Sequence, residues 1–165
     1  MNPILEELGR QHRDAEHLLV DMSAAVSRLR SEGPGGPGVL ADLGRCRTLI
    51  QDEVDAHFNE EERALFPVLG RRIGTADGPI AILMEEHRAF RGLQLEYERA
   101  LAALEAGESG EWQERLAGAA GAIEGLLPPH IEKEEEVLFP MAEAVLGDGE
   151  WDEVRALCHC PPAAL

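Results

Sequence analysis

Apolar residues recur at i, i+4, i+7 and i+11 along four stretches of this chain, the spacing that lines one face of an α-helix. Ile50, Val54, Ala64 and Val68 form one such stripe, and Ile123, Leu127, Val137 and Met141 form another. Leu5, Leu8 and Leu19 mark the first stretch, and Ile80, Leu83 and Met84 mark the third. Glycine and proline cluster between them, in "SEGPGGPG" at 31–38, "GTADGP" at 74–79 and "AGESG" at 106–110. The pattern predicts helices over about 3–31, 38–72, 79–106 and 110–146, with Pro79 in the first turn of the third. A short helix over about 148–157 is expected to pack across one end. Long helices joined by short loops make antiparallel neighbours. The expected fold is all-α, an up-down-up-down four-helix bundle over 1–147 followed by a short C-terminal helix and tail over 148–165.

The second and fourth stretches carry nearly the same segment. "HFNEEERALFP" begins at His57 and "HIEKEEEVLFP" begins at His130, 73 positions later. The first and third stretches match as well, with His12 in "RQHRDAEHLL" and His87 in "EEHRAFRGLQ", 75 positions apart. The chain therefore reads as two helical hairpins, each with one His on its first helix and a His-x-x-x-Glu on its second. A pseudo-twofold axis would bring all four motifs into one interior. The repeated Leu-Phe-Pro reads as packing at a helix end. Pro128 and Pro129, just before His130, predict either a kink that aims His130 inward or a helix that stops and restarts.

Every one of these polar residues interrupts an apolar stripe. His57 and Glu61 lie in line with Ile50 and Val54, His130 and Glu134 with Ile123 and Leu127, His12 with Leu5 and Leu8, and His87 with Ile80 and Leu83. An ionised carboxylate in a core is costly unless it is paired or metal-bound, and no Lys shares these faces. Two carboxylates and four imidazoles, without thiolate, suit iron, manganese or zinc. Two six-coordinate ions offer about twelve positions, of which four His and two bridging Glu fill about eight. The remainder stay open to water or a small ligand. The candidate metal ligands are therefore His12, His57, Glu61, His87, His130 and Glu134. Glu62 and Glu135, one position further round, read as solvated or supporting carboxylates, and Glu60, Glu132 and Glu136 as solvent-facing.

Charge narrows the partners. The 165 residues include 32 acidic and 15 basic side chains, a formal net charge of -17. Such a surface repels nucleic-acid phosphates and anionic lipids, so neither nucleic acid nor membrane is an expected partner. No 18-residue apolar run is present, and "MNPILEELGRQHRDAEHLL" lacks an apolar signal-peptide centre, which makes the cytoplasm the expected compartment. Three cysteines, two of them in a "CHC" at 158–160, do not form a disulfide framework.

His12, His57-x-x-x-Glu61, His87 and His130-x-x-x-Glu134, with the "EERALFP" and "EEEVLFP" tails and the "QHR" and "EHR" entries, resemble the hemerythrin-like family of HHE cation-binding domains over about 3–146. The resemblance implies an antiparallel bundle around two iron ions, a non-haem di-iron centre that is oxo- or hydroxo-bridged when oxidised. It also implies Glu61 and Glu134 as the bridging carboxylates. Oxygen-carrying hemerythrins have a second His on the third helix and an Asp on the fourth, where this chain has Arg91 and Glu134. That departure argues against simple oxygen transport. The first functional reading is a sensing or redox-responsive protein that binds or reacts with oxygen, nitric oxide or peroxide, as a monomer or weak homodimer. A second is a di-iron enzyme of peroxide disproportionation or nitric oxide reduction, and a third is iron storage or iron-centre repair.

Other residues receive smaller roles. Arg91 shares the ligand face and is expected either to bond a bridging Glu or bound anion, or to reach solvent. His17 is expected at the surface or rim and is the alternative to His12, with Glu16 a weak candidate for an additional ligand or supporting acceptor. Cys46 is expected to be a small buried residue, Tyr97 to be partly exposed, and "CHC" to be a disordered tail with a weaker metal or redox reading.

Overall fold

The first helix starts where the sequence supplies a stop for its free amides. In the computed structural model, which describes residues 1–158, the Asn2 side chain accepts the Ile4 amide at 3.0 Å, and Pro3 occupies the first turn. Helix α1 runs over Pro3–Glu32 and ends at Gly33, whose φ of 72° only glycine adopts without strain. Helix α2 covers 39–73, α3 covers Pro79–Glu105, α4 covers 111–145 and α5 covers Asp148–Leu157. Each agrees with the sequence reading to within a residue or two. The first four pack in a ring, α1 on α2 and α4, and α3 on α2 and α4, so the bundle is antiparallel and up-down-up-down. Among the described residues there is no strand. Helix α5 lies against the second half of α2, burying Trp151 and Val154.

The core is split in two. One apolar cluster includes Ala15, Leu18, Met22, Leu43, Val54, Phe58, Phe90, Tyr97, Ile123 and Leu127. The other includes Leu5, Leu8, Ala64, Leu65, Leu69, Leu83, Leu138, Phe139 and Trp151. The six polar residues singled out from the sequence sit in the belt between them, at the level where α1 passes from Leu8 to Ala15 and α2 from Phe58 to Ala64.

Two features depart from the expected helices. Leu-Phe-Pro does not end a helix in either copy. Residues Glu61–Leu65 and Glu134–Leu138 form matched π-helical turns, in which the Phe66 amide donates to the Glu61 carbonyl and the Phe139 amide to the Glu134 carbonyl. The cause is the next residue. Pro67 and Pro140 have no amide to give, and their rings need room from the carbonyls of Arg63 and Glu136. A wider turn provides it, and the helix then continues. One extra residue in a turn rotates the downstream positions by about 100°. In and beyond the turn of α4, Val137, expected in the core, is 44% exposed and Met141 is only half-buried, with Leu138, Phe139 and Ala142 buried; the equivalent Ala64 and Val68 of α2, on the helix that α5 packs against, stay buried as expected. By contrast, α4 keeps α-helical geometry through Pro128 and Pro129, so the helix does not stop and restart there.

Tyr97 is fully buried rather than partly exposed. Its hydroxyl donates to the Leu43 carbonyl at 3.0 Å. Helix α3 faces both α2 and α4, so its apolar arc is wider than the single stripe containing His87.

Candidate metal centre

All six predicted residues converge. His12 comes from α1, His57 and Glu61 from α2, His87 from α3, and His130 and Glu134 from α4, and each is at most 5% exposed. Ligand atoms of His12, His57, Glu61 and Glu134 lie within 4.8 Å of one another, as do those of Glu61, His87, His130 and Glu134. Both carboxylates belong to both groups, the arrangement two bridging carboxylates require. Each hairpin contributes its own pair of imidazoles, and the two pairs stand on either side of Glu61 and Glu134.

The outward nitrogens of the rings are all occupied. His12 Nδ1 lies 2.8 Å from Glu135 Oε1, His57 Nδ1 2.6 Å from Gln11 Oε1, His87 Nδ1 2.8 Å from Glu62 Oε1, and His130 Nδ1 2.8 Å from Glu86 Oε2. Each partner is an acceptor oxygen, so each Nδ1 is the donor and carries the proton. In the neutral rings every Nε2 then offers a lone pair inward. His12 Nε2 faces His57 Nε2 at 3.2 Å, and His87 Nε2 faces His130 Nε2 at 3.3 Å. Glu134 oxygens come within 2.9 Å of His12 Nε2 and 3.1 Å of His130 Nε2. Even so, none of the four oxygens of Glu61 and Glu134 is in hydrogen-bonding geometry with any group, although all four are buried.

Negative charge and lone pairs are therefore aimed at one small volume that lacks positive charge. Burial, with the Glu134 charge beside it, pushes the Glu61 carboxyl well above its usual range. Burial opposes ionisation of Glu134 too, but its contacts to the imidazoles, His12 and His130 first, hold it well below that range. Burial lowers His57, favouring its neutral form, which is the ligating one. Protons alone would leave the two carboxylates competing for them. Cations satisfy all the donors together, so the residues present fit a metal centre of imidazole and carboxylate.

The supporting carboxylates are braced in turn. Arg91 donates to Glu62 at 2.8 Å, to Asp55 at 2.9 Å and to Asn59 at 3.2 Å. It bonds neither bridging Glu, and acts on the centre only through Glu62. Burial raises Glu62 and Glu86, but Arg91 with His87 in the first case, and Lys133 with His130 in the second, hold both below the usual carboxylate range. Phe58 stacks on the His87 ring at 3.8 Å, and Phe139 stacks on His12 at 5.5 Å.

Glu62 and Glu135 thus have the supporting role left open from the sequence. The sequence pattern does not single out Gln11, Glu86 or Lys133. A signal for the first two is present in "QHR" and "EHR", where each immediately precedes a ligand-type His. Glu16 and His17 are exposed and outside the site. Cys46 is buried, and burial raises its thiol to about 11. Of the "CHC" segment, Cys158 is buried, and His159 and Cys160 lie outside the described residues. Among the described residues no helix is long and apolar enough to cross a membrane.

The chain is similar to proteins named iron-sulfur cluster repair protein YtfE. The protein of that name from Yersinia pseudotuberculosis serotype IB (strain PB1/+) is 33% identical over 144 residues, as is that from Musicola paradisiaca (strain Ech703). The one from Dickeya chrysanthemi (strain Ech1591) is 32% identical over 143 residues. In each case the match covers 84% of this chain and 62% of the relative, so the chain spans under two thirds of those proteins' length. The family model described as the hemerythrin HHE cation binding domain matches residues 4–142, and its span takes in all six converging residues. By that match, and by the paired His and His-x-x-x-Glu positions of its two hairpins, the chain belongs to the hemerythrin HHE cation-binding domain family.

Proposed function

We propose that His12, His57, Glu61, His87, His130 and Glu134 hold two iron ions, with Glu61 and Glu134 shared between them, and that the protein serves the repair of iron centres. The observation that carries the metal assignment is the set of four buried carboxylate oxygens without hydrogen bonds, enclosed by four inward-facing Nε2 atoms. The repair role is favoured over the other readings by the name of the relatives, iron-sulfur cluster repair protein. Iron held in such a centre supplies ferrous–ferric cycling and open positions for exchange.

The chain's own residues do the rest. Glu135, Gln11, Glu62 and Glu86 fix each ring in the tautomer that presents Nε2 inward. The apolar clusters above and below keep bulk water from the carboxylates. The direct test is transfer. Iron-loaded protein is incubated with a separate iron–sulfur protein whose cluster has been damaged by nitric oxide, with sulfide present, and cluster absorbance is followed. Recovery beyond that given by the same amount of free iron supports the role. Recovery equal to free iron removes it.

A second reading, reaction with a small ligand such as oxygen, nitric oxide or peroxide, has one observation in its favour. The cleft beside His57 holds about 10 Å³, room for roughly one water, which admits diatomic molecules and not organic substrates. A spectrum of the loaded protein that changes on adding one of these gases or peroxide separates this reading from simple delivery.

A further inference from the structure

The two halves of the centre are related by the repeat, and they are not equal. Counting 75 positions between α1 and α3 and 73 between α2 and α4, Ala15 corresponds to Phe90 and Ile131 corresponds to Phe58. Over the His87–His130 pair the space is filled, because Phe90 is fully buried and meets Phe58 edge-on at 5.1 Å. Over the His12–His57 pair the smaller residues leave the cleft beside His57 open. Its lining runs from exposed Glu53 and half-buried Gln11, past Ala15 and Val54, to His12 and His57; His130 also borders it, and His87 does not. The backbone differs at the same place. Ile50–Asp55 of α2 is π-helical, whereas the corresponding part of α4 is α-helical.

Charge differs in the same direction. At the filled half, Glu62 and Glu86 are paired with Arg91 and Lys133. The positions corresponding to Arg91 and Lys133 in the first hairpin are Glu16 and Glu60. Gln11, which holds His57, donates its amide to Glu60 Oε2 at 3.4 Å, and Glu53 stands at the outer end of the cleft. A cation thus meets acidic side chains at the mouth of this cleft, whereas the carboxylates behind His87 and His130 are already paired with Arg91 and Lys133.

We infer that the His12–His57 position is the exchangeable one: its cation enters and leaves through the cleft between Glu53 and His57, while the His87–His130 position retains its cation. This rests on the proposed two-cation centre. The cleft accounts for passage and the acidic mouth for the direction of steering, and neither depends on which metal is carried.

The test uses crystals of the full chain loaded with iron, soaked briefly in a chelator, with iron located by anomalous scattering. The expected result is iron lost first between His12 and His57 and kept between His87 and His130. Equal loss, or loss first from the His87–His130 pair, overturns the inference while leaving the two-cation reading intact. Unsoaked crystals with no iron at either position would instead remove that reading and the inference with it. In solution, Ala15→Leu is expected to abolish the fast phase of iron release to the chelator without loss of helicity. Wild-type release kinetics in a folded Ala15→Leu protein would also overturn the inference, and the crystal result decides should that variant not fold.

Discussion

His12 Nε2 and His57 Nε2 point at each other across 3.2 Å, while each ring gives its Nδ1 proton to an oxygen behind it. Two neutral imidazoles do not adopt that arrangement for their own benefit. The pair is set up by its acceptors, and the same is true of His87 and His130 across 3.3 Å.

The acceptors should therefore matter to cation affinity although none faces the cation. Glu62→Ala and Glu135→Ala are each expected to weaken binding by about 10- to 100-fold, the usual effect of removing the group behind a ligating His. Glu136→Ala, at an exposed position beside Glu135, should leave it unchanged. Calorimetric titration with ferrous iron under anaerobic conditions measures all three. Equal affinities would show that the rings hold their orientation without these partners.

The π turns make a prediction about residues that touch no ligand atom. Pro140→Ala restores an amide and removes the ring that crowds the Glu136 carbonyl, so the turn over Glu134–Leu138 is free to close to α-helical geometry. Closing it turns the two sides of the segment against each other by about 100°. Glu134 should move from its place beside the imidazoles, and Val137 should lose exposure. The checks are a crystal structure of the variant and its cation affinity, which is expected to fall. An unchanged π turn would mean that the proline is not its cause.

Cys46 offers a check of the core on the side away from Trp151. Burial raises its thiol from an ordinary 9.0 to about 11, so the thiolate is scarce at pH 8. Mass-spectrometric mapping after iodoacetamide treatment should find Cys46 unlabelled in the native protein and labelled in denaturant. The same shift sets the sign for stability. The unfolded chain gives up this proton first, so the contribution of Cys46 is intact below pH 9 and is lost as pH rises toward 11. Rapid native labelling at pH 8 would show that this end of the bundle is open.

Helix positions and the six converging residues were legible in the sequence because both obey one rule, the 3.6-residue period. A polar residue that repeatedly replaces an apolar one on that period must face the interior. Gln11 and Glu86 escape the rule, since each stands one residue before a ligand-type His, about 100° round the helix. Their partners, His57 and His130, belong to neighbouring helices, and only the packing brings them together. Val137 departs from its expected place at the π turn before Pro140, where the period is interrupted, although Ala64 at the matching turn before Pro67 stays buried. Tyr97 departs from its own because a helix touching two neighbours buries more than one stripe. The asymmetry between Ala15 and Phe90 is present in the repeat but carries no meaning until the cleft shows which half is filled.

Whether Glu61 and Glu134 hold two cations between them is decided by the iron content of reconstituted protein. Wild-type chain, loaded anaerobically with ferrous iron and freed of excess, is expected to retain two irons per chain. Glu61→Ala and Glu134→Ala should each lose most of that iron while their far-ultraviolet circular dichroism still reports a helical bundle. A wild-type chain that retains no iron, or two folded variants that both keep the full complement, would refute the shared centre.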